Sequence, residues 1–252
     1  MTPDGKAALI ARFRSARSDP GQVVLEGLHA LKHAIRFGAA IELVVTPDAA
    51  ALNGLAQRLA PDVAQRLSSL AREIDPPVFA ALAPVPPATG VLALARRPRV
   101  ESGILLAQGG GPPVVLLDRP SDLGNIGAVV RVAAAAGAAG VLVNGARDPW
   151  HPAAVRGGAG LQFALAVARI DGLGATERPL VACVPDGMPL RPGSLPEGAL
   201  CLFGSERDGL APDLLRRAER RLAIPMRPRI SSLNLATAVA VVLYLGGRDR
   251  TT

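Results

Sequence analysis

The chain has 252 residues, 49% hydrophobic and 19% charged, which is enough apolar material for a sizeable core in one or two domains and excludes a disordered chain. The net charge of +7 suits a polyanionic partner, although nearly all of it is arginine in an Ala-, Gly- and Pro-rich background, a skew that a GC-rich genome also produces. No apolar stretch reaches the length of a membrane span (residues 239–245 are followed by Arg248 and Arg250), and Asp4, Lys6, Arg12, Arg14 and Arg17 interrupt the N-terminus where a signal peptide would be apolar, so a cytoplasmic protein is expected.

In chain order, residues 3–17 have a helical pattern, 22–25 read as a short strand, 27–37 as a helix and 41–45 as a second strand. Residues 49–70 are Ala- and Leu-rich and predict helix in pieces, broken near Pro61. Prolines 76, 77, 84, 86 and 87 punctuate the next stretch, and 90–95 read as a third strand. Arg96, Arg97 and Arg99 precede the Gly/Pro stretch 108–113, which marks a boundary between a domain over 1–107 and another over 108–252. Beyond it the apolar runs 114–117, 140–143, 180–184, 199–203 and 222–224 are continuous rather than alternating. Such runs are strands buried on both faces, hence a mostly parallel sheet covered by helices, the clearest being 126–136 and 235–245.

Three loops come after these strands: 118–131, 203–210 and 224–238. In open α/β sheets ligands bind outside the carboxyl ends of strands. The common nucleotide fingerprints are missing. No G-x-G-x-x-G follows a strand, Gly158-Ala159-Gly160 lacks a third glycine, and no G-x-x-x-x-G-K-[ST] occurs. No G-x-S-x-G elbow is present. No H-E-x-x-H or cysteine cluster suggests a metal: Cys183 and Cys201 read as buried strand thiols, and His29 and His33, four apart on a helix, have no third ligand and read as exposed.

Taken together, the loops resemble the SpoU/TrmH group of the SPOUT methyltransferases. Asn125, Gly127 and Arg131 match its first motif, a Gly-Asn-x-Gly turn leading into a helix with an arginine. Gly204-Ser205-Glu206 with Gly209-Leu210 match the second, and Ile224-Pro225-Met226 with Ser232-Leu233-Asn234 the third. Asp148-Pro149-Trp150-His151-Pro152 with Val155-Arg156 resembles a further segment, and residues 24–27 and 90–95 look like the family's ribosomal-protein-like substrate-binding domain. Two positions depart from the pattern: Arg207 stands where many relatives have glycine, and His151 where asparagine is common.

The resemblance implies an α/β fold whose mostly parallel sheet ends in a C-terminal trefoil knot, preceded by a small N-terminal α/β domain that binds RNA. It implies a homodimer with the active site completed at the subunit interface. It further implies an enzyme that moves a methyl group from S-adenosylmethionine to a ribose 2′-hydroxyl, with ribosomal RNA favoured over transfer RNA and no metal. Gly204, Ile224, Met226 and Leu233 would hold the cofactor, Ile224 and Leu233 offering an apolar slot for a purine. Arg131 would act on the reacting oxygen, oriented with the ribose by Asn125, Glu206, Ser232 and Asn234, and free backbone N–H groups where Asn234 opens the last helix could hold an anion. Arg14, Arg97 and Arg99 are the candidate RNA contacts of the N-terminal domain. Read one at a time, these residues have plainer uses: Arg131 as a surface arginine, Glu206 as a solvated carboxylate, Asn125, Ser232 and Asn234 as caps. A non-catalytic RNA-binding or assembly protein of the same fold is the rival reading.

Overall fold

The computed structural model describes residues 2–247; Arg248 and Arg250 lie outside the described residues. The chain packs as two compact units, one running to Arg99 and including Trp150–Ala164, the other comprising Val100–Pro149 and the residues from Leu165 onward. The first unit holds α1 (Pro3–Ala16), β1 (Gln22–Glu26), α2 (Leu28–Arg36), β2 (Ile41–Thr46), α3 (Ala49–Leu59), α4 (Pro61–Leu70), β3 (Ala71–Glu73), α5 (Pro76–Ala80) and β4 (Leu92–Arg96). The second begins with α6 (Ser102–Ala107), β5 (Val114–Asp118), α7 (Leu123–Ala135) and β6 (Gly140–Asn144). The chain then returns to the first unit through α8 (Pro152–Gly157) and a 3-10 turn (Leu161–Phe163). The second unit is completed by β7 (Ala166–Ile170), β8 (Leu180–Pro189), β9 (Leu200–Phe203), α9 (Pro212–Arg217), β10 (Arg220–Ala223) and α10 (Leu235–Gly246).

The division thus falls after Arg99 and not after Ala107, because Leu105 and Leu106 of α6 join the apolar core of the second unit. Segment 150–164 packs with the first unit, although its sequence position assigns it to the C-terminal domain.

In the first unit a mixed sheet has the order β1-β4-β2-β3, with β4 antiparallel to β1 and β2 and β3 parallel to β2. Phe13, Val24, Val45, Leu92 and Leu94 form its core beneath α1. The break expected near Pro61 occurs at Ala60, whose extended φ of −158° ends α3 and lets Pro61 open α4. Glu26, at the end of β1, is buried and receives two guanidinium groups, from Arg17 at 2.8 Å and from Arg156 of α8 at 2.6 Å. Trp150 is buried edge-to-face on Phe163, with ring centroids 5.0 Å apart. His33 is not fully exposed as expected: half-buried, it places Nδ1 2.8 Å from the Ala159 carbonyl, while His29 is exposed. No group of metal-ligating side chains occurs among the described residues.

The second unit is built on a parallel sheet in the order β10-β8-β9-β5-β6-β7. Its central strands are the continuous apolar runs of the sequence: Val114, Leu116, Leu142, Leu200 and Leu202 are fully buried. From β5 the chain winds outward through β6 to β7, then crosses to the other side of β5 for β8, β9 and β10. The boundary between β5 and β9 is therefore the point where the winding reverses, and at such a point loops from neighbouring strands diverge and leave a crevice. The helix α10 packs against α7, which crosses from β5 to β6. No helix of the described residues is long and apolar enough to cross a membrane.

Candidate active site

At the carboxyl ends of β8, β9 and β10 lies a cavity of about 490 Å³, within the range that accommodates a small-molecule ligand. Phe203, Leu222, Ile224, Met226, Leu233 and Leu235 supply apolar wall, and Ser205, Glu206, Arg207, Ser232 and Asn234 the polar edge. Every residue expected from sequence to hold a cofactor (Gly204, Ile224, Met226 and Leu233) lines this one cavity. So do three of the expected catalytic residues: Glu206, Ser232 and Asn234.

The loop after β9 is a closed turn. Ser205 and Gly209 exchange both backbone hydrogen bonds, at 3.1 and 3.2 Å, and the Ser205 hydroxyl accepts from the Asp208 N–H at 2.9 Å. Gly209 takes the left-handed conformation, φ +66°, that the turn demands. Gly204 enters the turn so tightly that the Gly209–Leu210 backbone fills the space beside its Cα. Its missing side chain is used by the protein's own loop.

The loop after β5 meets this turn across the switch point. Asp122 caps α7, accepting from the Asn125 N–H at 2.6 Å. The Asn125 side chain then spans two loops: its amide donates to Glu206 at 3.0 Å, and its carbonyl oxygen accepts from the Asn234 amide at 3.0 Å. Asn234 caps α10, its oxygen accepting from the N–H groups of Ala236 and Thr237 at 2.9 and 3.4 Å. That fixes which end of its amide is left to donate. The same bonds correct one expectation: these two N–H groups at the start of α10 are taken by Asn234 and are not open to an anion.

Glu206 is held by Ser121, a residue that sequence reasoning missed. The Ser121 hydroxyl donates to its second oxygen at 3.0 Å and the Ser121 N–H to the same oxygen at 3.4 Å. Partial burial pushes the carboxyl up, but the bonds from Asn125, its own backbone and Ser121 outweigh this and leave it below the ordinary glutamate value. A depressed folded-state value means a contribution to stability that is fully present above the unfolded pKa of about 4.3 and is lost as pH falls through the folded one. Accordingly, the difference in melting temperature between wild type and Glu206→Gln should shrink as pH drops below about 4. A difference that persists unchanged into acid would mean that the charge on Glu206 is not what these donors stabilise.

A second missed residue is Asp118, fully buried at the end of β5. It accepts from the Asn144 amide at 2.8 Å and from the Ala211 N–H at 2.9 Å, so it pins the far end of the β9 loop. The third omission is the wall formed by Cys183, Val184 and Pro185. Here β8 bulges: Ala182 pairs with Arg221 but Met188 with Leu222, leaving 183–187 looped out against the cavity. The strand-end rule applied to β8, as to β9 and β10, would have found it. Cys183 is half-buried, not buried; Cys201 is fully buried in β9, and burial raises both thiols, that of Cys201 to about 12.

Two expected residues do not line the cavity of their own chain: Asn125, which is tied by hydrogen bonds to the lining residues Glu206 and Asn234, and Arg131, which is not. Arg131 lies on α7 six residues past Asn125, is exposed, and makes no hydrogen bond or ion pair among the described residues. In the first unit Arg14 and Arg99 are exposed, and Arg97 is half-buried with its guanidinium 5.6 Å from the Trp150 ring centroid.

An open parallel sheet with a ligand-sized cavity at the carboxyl ends of β8, β9 and β10, beside a switch point where three polar loops interlock, defines a small-molecule-binding α/β protein. The sequence model of the SpoU rRNA Methylase family matches residues 112–244, and the chain belongs to that family. A 23S rRNA (uridine(2479)-2′-O)-methyltransferase of Streptomyces viridochromogenes is 33% identical over 150 residues, covering 54% of this chain and 52% of that protein. The chain spans about half the length of the curated relatives it matches. Among solved structures, the SpoU methyltransferase AviRb of Streptomyces viridochromogenes matches with a TM-score of 0.75 and 24% identity, over 94% of this chain and 96% of the other, a likeness of fold. An AdoMet-bound rRNA methyltransferase of Sinorhizobium meliloti matches with a TM-score of 0.71 and 25% identity, over 97% and 94%.

Proposed function

We propose that this protein is an S-adenosylmethionine-dependent RNA methyltransferase that acts on a ribose 2′-hydroxyl, most favourably in ribosomal RNA, and works as a homodimer in the cytoplasm. The observation that carries the reading is the convergence of three loops far apart in sequence, where Asn125 bridges Glu206 and Asn234, two residues that line one apolar-walled cavity. The names of the Streptomyces viridochromogenes and Sinorhizobium meliloti relatives, a 2′-O-methyltransferase of 23S rRNA and an AdoMet-bound rRNA methyltransferase, support both substrate and cofactor.

The cavity fits such a cofactor in size and in chemistry, with Ile224, Met226 and Leu233 as a slot for a flat purine and Ser232 and Asn234 at the polar side. When bound, S-adenosylmethionine supplies an electrophilic methyl group on sulfur. The chain's own residues position the acceptor. Both oxygens of Glu206 are already engaged by Asn125 and Ser121, and its carboxyl is held below the usual range, which makes it a holder of Asn125 and a poor base. Arg131 brings a planar guanidinium, which offers N–H donors and no acceptor. Its suited tasks are to clamp the phosphate beside the target ribose and to stabilise negative charge developing on the 2′-oxygen.

Arg131 stands outside its own chain's cavity, which accords with a site completed by a second copy. Tyr244 and Leu245 are exposed on α10, next to the helix that carries Arg131, and offer apolar surface for such a contact. A chain that returns from edge strand β10 to pack α10 on α7 accords with the family's knot. The first unit, with Arg14, Arg97 and Arg99, is the proposed RNA-binding domain.

The test supplies isotopically labelled S-adenosylmethionine with ribosomal and transfer RNA. Label is expected in ribosomal RNA and, after alkaline hydrolysis, in dinucleotides that resist cleavage because the 2′-oxygen is blocked. Label in base or protein, or none at all, overturns the reading.

A further inference from the structure

Arg207 takes no part in the hydrogen bonds that tie Asn125, Glu206 and Asn234 together, and its surroundings give it a different role. It sits in the turn after β9, on the edge of the cavity, and among the described lining residues it is the one cation. Its guanidinium makes no hydrogen bond or ion pair among the described residues, although Glu206 and Asp208 flank it in sequence. The Glu206 carboxylate is already engaged, because Asn125 and Ser121 take one oxygen each. The turn is locked by the paired Ser205–Gly209 bonds and by the Ser205 hydroxyl, so position 207 is held at a fixed tip. A lone guanidinium on a rigid turn, at the rim of a pocket whose own carboxylate has its partners, is preorganised for an anion.

We infer that Arg207 binds the α-carboxylate at the amino-acid end of the methyl donor. The inference rests on the methyl-transfer reading, since that donor carries a single anionic group and its other end, the purine, suits the apolar slot of Ile224 and Leu233. A guanidinium offers a carboxylate two parallel N–H donors, which fixes orientation as well as adding affinity. Arg131, exposed on α7 outside the cavity, is the cation left for a phosphate of the RNA.

Calorimetry with two probes tests this: S-adenosylhomocysteine, which has the carboxylate, and 5′-methylthioadenosine, which lacks the whole amino-acid end. Arg207→Gln should weaken S-adenosylhomocysteine about tenfold or more while leaving 5′-methylthioadenosine within about twofold. Arg207→Lys should fall between wild type and Arg207→Gln for the first probe only. Unchanged affinity for S-adenosylhomocysteine, equal losses for both probes, or a loss confined to the KM for RNA would each overturn the assignment. Wild type is measured first: binding of neither probe removes the methyl-transfer reading and the carboxylate site with it, whereas binding of both with no effect at position 207 removes the carboxylate site alone.

Discussion

Gly204→Ala is expected to weaken S-adenosylhomocysteine binding by about ten- to hundredfold while the protein still folds. A Cβ at this position would run into the Gly209 carbonyl group and the Leu210 nitrogen. These are backbone atoms and cannot swing aside as a side-chain tip would. Relief requires either opening the Ser205–Gly209 turn, at the loss of its two backbone hydrogen bonds, or shifting the end of β9, which is buried between β8 and β5. Overpacking of this kind costs about 1–3 kcal/mol. The turn is the cheaper part to move, and it carries Glu206, Arg207 and Leu210, so the strain appears as a deformed cavity. Gly209→Ala is the comparison: its φ of +66° makes alanine strained, but nothing lies within 4 Å of the added carbon, so only the backbone penalty of about 1–2 kcal/mol applies. Calorimetry for binding and thermal melts for folding separate the two. Wild-type affinity in Gly204→Ala would mean that the turn does not shape the cavity.

How legible each feature is in the sequence depends on the physical constraint that writes it there. β5, β6, β8 and β9 are visible because a strand buried on both faces must be apolar at every position, and Val114, Leu142, Val181 and Leu202 are fully buried. β7 escapes notice because it is an edge strand with interrupted burial, and β3 because three residues with two exposed carry no pattern. The loop positions of Asn125, Glu206 and Asn234 come from the strand-end rule and the family motifs. Their mutual hydrogen bonds, over 81 and 109 residues of separation, come from neither, because strand order decides which loops meet. The same holds for Asp118, which reads as one more acid until Ala211, 93 residues on, donates to it. Segment 150–164 falls on the wrong side of the sequence boundary for a related reason. It is held to the first unit by the pairing of Arg156 with a glutamate 130 residues earlier, and a composition shift at the Gly/Pro stretch carries no trace of that contact.

Arg131→Ala should lower the methyl-transfer rate by about a hundred- to a thousandfold, as loss of one preorganised donor to developing negative charge does elsewhere, and leave S-adenosylhomocysteine affinity unchanged. The second half of that expectation comes from its position, since the side chain is exposed and is not part of its own chain's cavity. How it reaches a reacting oxygen is then a question of which copy it serves, and pairing it with Gly204→Ala answers it. If Arg131 acts on the cavity of the partner subunit, a mixed dimer of Arg131→Ala and Gly204→Ala chains contains one site with an intact Gly204 cavity and an intact arginine. At a cofactor concentration too low to fill the Gly204→Ala cavity, random reassortment of equal amounts of the two proteins should then restore about a quarter of wild-type activity, because half the dimers are mixed and each has one working site. If Arg131 serves its own cavity, every site in every dimer carries one of the two lesions, and mixing restores nothing. Co-expression of the two chains with different affinity tags, followed by a rate measurement on the doubly tagged fraction, isolates the mixed dimers, which should then show about half the wild-type rate if Arg131 acts across the interface and none if it does not. An undiminished rate in Arg131→Ala alone would remove the arginine from the chemistry altogether.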